Sequence, residues 1–110
     1  MIYILNSLIV PVNFDKYPEA RIRLNKISLE GAKVILENNK FISAVGHEGS
    51  AQLLSRLLGI PIQVNRISVY FEKGDIGIHF FLKQRLPEGK ILSDEELSKL
   101  EFWIVRSEVL

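Results

Sequence analysis

Three observations in this 110-residue chain predict one domain, residues 1–110, of the α/β or α+β class, with a central mixed β-sheet flanked by helices. Ile2 to Val10 is an almost continuous apolar run broken only by Asn6 and Ser7, as expected of a strand buried on both faces. Apolar residues recur at every second position in Ile67, Val69, Phe71 and in Ile76, Ile78, Phe80, Leu82, the period of strands with one face inward. Two other stretches carry apolar stripes at helical spacing, and no repeat, low-complexity tract or linker divides the chain.

Taken in order, Pro11 to Pro18 reads as loop, with two prolines around an Asn-Phe-Asp stretch, and Arg21 to Ile27 as a short exposed edge strand. Ser28 is an N-cap for a helix through about Glu37, lined by Leu29, Ala32, Val34, Ile35 and Leu36 and ended by Asn38-Asn39. Phe41 to Val45 is a short apolar strand. Gly46-His47-Glu48-Gly49-Ser50 then turns into a second helix, Ala51 to Leu58, with Leu53, Leu54, Leu57 and Leu58 inward and Gly59 closing it. Ile60 to Val64 connects to a hairpin of Arg66 to Phe71 and Ile76 to Lys83 across Glu72-Lys73-Gly74-Asp75. Leu86-Pro87-Glu88-Gly89 has the signature of a type I turn, and Ser93-Asp94-Glu95-Glu96 is a capping box for a short helix to Leu100. Phe102 to Val109 is the last strand.

Composition narrows the function. With 47% hydrophobic and 25% charged residues, the chain has the make-up of an ordered domain, and its length suffices to bury roughly two-thirds of its extended surface. A net charge of +1 excludes affinity built on bulk positive charge, so no long nucleic acid is expected as a partner. Zero cysteines exclude disulfides, thiolate zinc sites and a cysteine nucleophile. Met1 to Val12 has no basic n-region or cleavage site, and no apolar run approaches the ~18 residues of a membrane span. A soluble protein without membrane contact, in the cytoplasm of the host or producing cell, is the expectation.

Two segments could carry chemistry. Gly46 to Ser50 joins a strand to a helix, whose first turn offers unpaired N–H groups and partial positive charge suited to a phosphate. There Ser50 adds a hydroxyl, and His47 could donate a proton to a phosphate oxygen; the alternative is a glycine turn with a solvent-exposed histidine. In Lys83 to Gly89, Arg85 offers a planar donor fork and Glu88 a carboxylate; the alternative is an ordinary polar turn. Arg66 either pairs with a phosphate or merely flanks a strand. Asn6, polar inside an apolar strand, needs a partner and is either a satisfied core group or the floor of a pocket. His79 reads as structural or exposed rather than catalytic, and Glu48 is expected to face solvent.

Walker, dinucleotide, zinc-pair and nucleophile-elbow motifs are all missing, so no cofactor or metal is expected. One histidine and a few arginines suffice for attack of an RNA 2′-hydroxyl on its own phosphodiester, which needs positioning, charge stabilisation and a proton for the leaving 5′-oxygen.

Tyr3-Ile4-Leu5-Asn6-Ser7, Ser43-Ala44-Val45-Gly46-His47, Asn65-Arg66 and Gln84-Arg85-Leu86-Pro87-Glu88-Gly89 together resemble the viral ring nucleases of archaeal viruses and phages, type III anti-CRISPR proteins with cellular relatives. The resemblance implies a homodimer that binds cyclic tetra-adenylate and cleaves it without metal to linear di-adenylate ending in 2′,3′-cyclic phosphate. It implies His47 as general acid, with Arg85 and Glu88 holding the phosphate and the ribose or attacking hydroxyl. Asn6, Arg66 and Gln84 match pocket positions, and Ser50 is added by the helix-start argument alone. A non-catalytic cyclic-nucleotide sponge or sensor, and a small viral DNA- or RNA-binding protein, are the alternatives.

Overall fold

The computed structural model describes residues 1–85 and 91–110. Among the described residues eight elements follow one another: β1 (Ile2–Leu5), β2 (Ile22–Ile27), α1 (Leu29–Asn38), β3 (Ile42–Ser43), α2 (Glu48–Leu58), β4 (Ile76–Leu82), α3 (Asp94–Ser98) and β5 (Phe102–Val109). The strands form one sheet in the order β2-β5-β4-β1-β3. β1 is parallel to β3 and β4, whereas β5 is antiparallel to both β4 and β2, so the sheet is mixed.

The local signals act where they stand in the sequence. Ser28 caps α1 by accepting the Gly31 N–H, and the Ser93/Glu96 capping box of α3 is complete. Gly59 ends α2 at φ 68°, a left-handed backbone that glycine adopts without steric cost. β2 lies at the sheet edge with its side chains largely exposed.

The sheet's two faces differ. One carries Ile4, Ile78, Phe80 and Ile104, and against these pack Ala32 and Leu36 of α1 with Ala51, Leu53, Leu54 and Leu58 of α2. Each of those buried leucines contributes roughly 1.5–3 kcal/mol. Leu97 and Leu100 reach the same cluster from the α3 region, so the helices sit on one face and the class is α+β. The opposite face is covered by chain without regular structure: Val12, Val69 and Phe71 pack on Leu5 and Val109, with Tyr3, Val10 and Tyr17 around them. Beyond that cover Phe81 and Trp103 stack at 5.3 Å, with the Lys83 Nζ 5.4 Å from the centre of the indole ring.

Several expectations are corrected. The hairpin does not form: 66–70 has no strand, and Phe71 makes only a single parallel bridge to Val12. The reason is that both edges of β4 are taken, one by β1 and the other by β5. The first strand stops at Leu5 rather than Val10, because the chain leaves the ladder there: the Asn6 amide bonds Ser50 and the Ser7 carbonyl takes its bond from the His79 ring; Leu8 and Ile9 beyond are exposed. The 41–45 strand shrinks to Ile42–Ser43, since β1 gives it only Tyr3 and Ile4 as ladder partners. Val34 lies on the outer side of α1 and is 56% exposed, and α2 begins at Glu48 rather than Ala51. The Leu86–Gly89 turn lies outside the described residues.

Candidate functional site

β1 and β3 run parallel, so their carboxyl ends open on one edge of the sheet, the side on which α/β proteins bind ligands. Three segments meet there. Ala44 is held by its N–H to the Ile4 carbonyl, 2.9 Å. The segment around Asn65 is lashed to the end of β3 by its N–H to the Val45 carbonyl, 2.8 Å, and by its side-chain amide to the Ser43 carbonyl, 2.7 Å. The Ser43 hydroxyl in turn donates to the Gln63 carbonyl at 2.6 Å. These bonds aim Gly46-His47 off the sheet and into α2.

His47 is the N-cap of α2. Its Nδ1 accepts the Ser50 N–H at 3.4 Å, and the ring is exposed. Gly49 leaves room for that ring: a β-carbon there would lie 3.1 Å from Cε1 and 3.3 Å from Nδ1. The Ser50 hydroxyl meets the Asn6 side-chain amide at 3.4 Å, a contact across 44 residues of sequence. Arg66 crosses Gly46, donating from Nε to the Gly46 carbonyl at 2.8 Å, while its terminal amino groups make no hydrogen bond to the described residues. Glu48 is exposed in the first turn of α2, where its carboxylate complements the helix dipole, as expected of a residue facing solvent.

Four of the expected site residues, Asn6, His47, Ser50 and Arg66, are therefore gathered at one edge. Ser50 joins the other groups, bonded to Asn6 through its hydroxyl and to His47 through its N–H. Asn6 is half-buried and partnered, so neither half of the expectation about it stands alone. Gln84 and Arg85 are not part of that network. β4 passes His79, the partner of Leu5, and continues to Leu82, which carries the chain about 10 Å beyond the end of β1. Gln84 there accepts the Glu101 N–H at 3.2 Å, a bond that ties the end of β4 to the start of β5. Arg85 is exposed at the same end of the sheet, and Glu88 lies outside the described residues.

Nothing local in the sequence marks Ser43 and Asn65 as supports of this site. No periodicity flags a side chain whose work is to bond a backbone carbonyl 22 residues away. His79 is structural, as expected, and wholly buried. Loss of hydration pushes its pKa below the ordinary value, and the bond to the Ser7 carbonyl opposes that shift only in part. Among the described residues no cluster of three or more His, Cys, Asp or Glu side chains could hold a metal ion, and no helix is long and apolar enough to cross a membrane.

Residues 2–104 match the family described as STIV B116-like. Protein 26 of Sulfolobus islandicus filamentous virus is 40% identical over 111 residues, covering 100% of this chain and 92% of that protein. Protein ORF117 of Acidianus two-tailed virus is 42% identical over 105 residues, 93% and 87% of the two chains. YddF of Bacillus subtilis is 34% identical over 82 residues, 73% of this chain and 76% of that protein. Among solved structures, B116 of Sulfolobus turreted icosahedral virus superposes with a TM-score of 0.82 and 26% identity, covering 97% of each chain. With its relatives drawn largely from archaeal viruses, and with sequence and fold agreeing along almost its whole length, this chain belongs to the STIV B116-like family.

Proposed function

We propose that the protein is a ring nuclease acting in the cytoplasm of the host or producing cell. It opens cyclic tetra-adenylate, without a metal ion, to linear di-adenylate ending in 2′,3′-cyclic phosphate, and so counters type III CRISPR defence. The observation that carries this reading is the junction of His47, Ser50 and Asn6 at the start of α2. It brings an imidazole, a hydroxyl, an amide and first-turn N–H groups into hydrogen-bond reach of one another, with the Arg66 guanidinium beside them.

In this reaction a ribose 2′-oxygen bonds to the adjacent phosphorus and the P–O5′ bond breaks. The leaving 5′-oxygen takes a proton from His47, and the 2′-hydroxyl proton passes to a base or to solvent. Arg85 and Glu88 retain the roles that the sequence resemblance implies. The resting cap and the acid role are alternative uses of one ring. While Nδ1 accepts the Ser50 N–H, the neutral ring carries its proton on Nε2; an imidazolium has no lone pair with which to cap. A phosphate oxygen at the helix start replaces the ring as acceptor and frees it to turn towards the leaving oxygen.

A homodimer completes the reading. A cyclic tetranucleotide has a two-fold axis, and an isologous pair presents two copies of each group to opposite phosphates. The open sheet face supplies apolar surface for such a pair, with Leu24, Phe81 and Trp103 between 39% and 52% exposed. The test is incubation with cyclic tetra-adenylate in EDTA and chromatography of the products. Linear di-adenylate with a cyclic phosphate is the expected result. An intact but bound ring would make the protein a sponge, and an intact, unbound ring would reject the reading and favour a small nucleic-acid-binding protein.

A further inference from the structure

We propose that His79 is a positioning residue: its buried ring holds the Ser7 carbonyl, and so sets where the end of β1 presents Asn6 to Ser50. The meaning of that position for catalysis rests on the function proposed above; the coupling itself does not.

β1 ends at Leu5, and the next residues leave the sheet. A strand end of this kind leaves carbonyls to be satisfied by something other than the ladder. His79, the β4 partner of Leu5, reaches that point and places Nδ1 2.9 Å from the Ser7 oxygen. A carbonyl only accepts, so Nδ1 carries the hydrogen. In the neutral ring Nε2 is then an acceptor, and it meets the Ser107 hydroxyl of β5 at 2.7 Å. Phe71 lies stacked against the ring, with centroids 6.3 Å apart and planes 19° apart.

The rest of the sheet is built around this unit. Gly77 is the cross-strand partner of Ser107, and a β-carbon there would collide with His79 Nε2 and come within 2.6 Å of the Ser107 oxygen. A serine hydroxyl donating to a histidine Nε2 has the form of a nucleophile and its base. Here both residues are 0% exposed, so no substrate reaches them and catalysis by the pair is excluded. Packing alone does not call for a polar unit either, since an apolar group of similar volume would bury more favourably. What the polar ring does that an apolar one could not is hold one carbonyl. The next residue back from that carbonyl is Asn6, bonded to Ser50, whose N–H is capped by His47. A line of contacts thus runs from the sheet interior to the proposed acid.

Two substitutions separate the ring's two bonds. The side-chain amide of His79→Asn falls near the position of Nδ1 and can still donate to Ser7. That of His79→Gln falls near Nε2 and keeps only the Ser107 side. The first readout is NMR of the ligand-free protein, following the Asn6 side-chain amide and the Ser50 backbone amide. The second is kcat and KM for cyclic tetra-adenylate.

We expect His79→Asn to leave both amide signals and turnover close to wild type. His79→Gln should shift both signals and lower kcat about tenfold, the scale of one lost hydrogen bond. Equal behaviour of the two variants, both normal or both equally impaired, would reduce His79 to packing and overturn the proposal. If neither variant folds, the ring tautomer of the wild-type protein decides: a proton on Nδ1 in slow exchange supports the proposal and a proton on Nε2 overturns it. A wild-type protein that ignores cyclic tetra-adenylate would reject the ring-nuclease reading, yet the amide signals would still decide the coupling.

Discussion

The two histidines occupy opposite kinds of site, and each has a glycine two residues away that makes its room. His47 stands at the N-terminus of α2, exposed, with one long bond from the Ser50 N–H and Gly49 beneath its ring. His79 is sealed in the sheet, with both ring nitrogens bonded and Gly77 leaving the space it fills. The same side chain is a replaceable cap in one place and a fixed strut in the other. Chemistry needs the first arrangement, because a ring that can release its partner can also take and give a proton. Geometry needs the second, because a ring that cannot move holds what it touches.

The contrast breaks most sharply at His47. His47→Asn keeps an excellent N-cap, so thermal stability should stay near wild type or rise slightly. Loss of the acid should cut cleavage of cyclic tetra-adenylate by roughly 10²–10⁴-fold while leaving binding largely intact. Undiminished cleavage in single-turnover assays would remove His47 from the chemistry. Next in size is Gly77→Ala, whose new methyl has nowhere to go between His79 and Ser107. Urea denaturation should show a loss of about 1–3 kcal/mol, and a neutral result would mean that the polar unit is looser than its contacts imply.

A smaller effect follows from pH. The folded chain holds the His79 pKa below its ordinary value of about 6.5, so on acidification the unfolded chain binds this proton first. This contribution to stability is fully present above about pH 6.5 and is lost as the pH falls towards the lower folded value. Melting temperatures measured across that window should decline in the wild type and decline less in His79→Asn. The smallest effect on stability belongs to Gly49→Ala. Alanine is the better helix former by about 1 kcal/mol, and the exposed His47 ring can shift away from the 3.1 Å contact. Stability should hold or rise, whereas the ring leaves its resting position and turnover changes. A loss as large as that of Gly77→Ala would show the two glycine sites to be alike after all.

Part of the fold was legible because its signals are local. Ser28, Gly59 and the Ser93 capping box each satisfy backbone groups within four residues, and they mark the helix ends they were expected to mark. The last strand, Phe102–Val109, follows its own run without adjustment. The hairpin failed because alternation reports a buried face without saying what it is buried against. In 66–71, Val69 and Phe71 pack on the sheet as covering chain, while Ile67 is 44% exposed. Of the site, the turn at Gly46 to Ser50 was visible as a strand-to-helix junction. The resemblance implied Asn6 as a pocket position, but its bond to Ser50 was not visible, since the two lie 44 residues apart.

Read from residues alone, this chain is a sheet-and-helix domain with a phosphate-suited helix start that carries a histidine, because caps, periodicity and charge act over a single turn or strand. Strand order, the gathering of Asn6, Ser50 and Arg66, and the difference between the two histidines arise only on folding. Each depends on partners such as Ser7 and Ser107, which lie 72 and 28 residues from His79 and approach it only when parallel and antiparallel strands pair in one sheet.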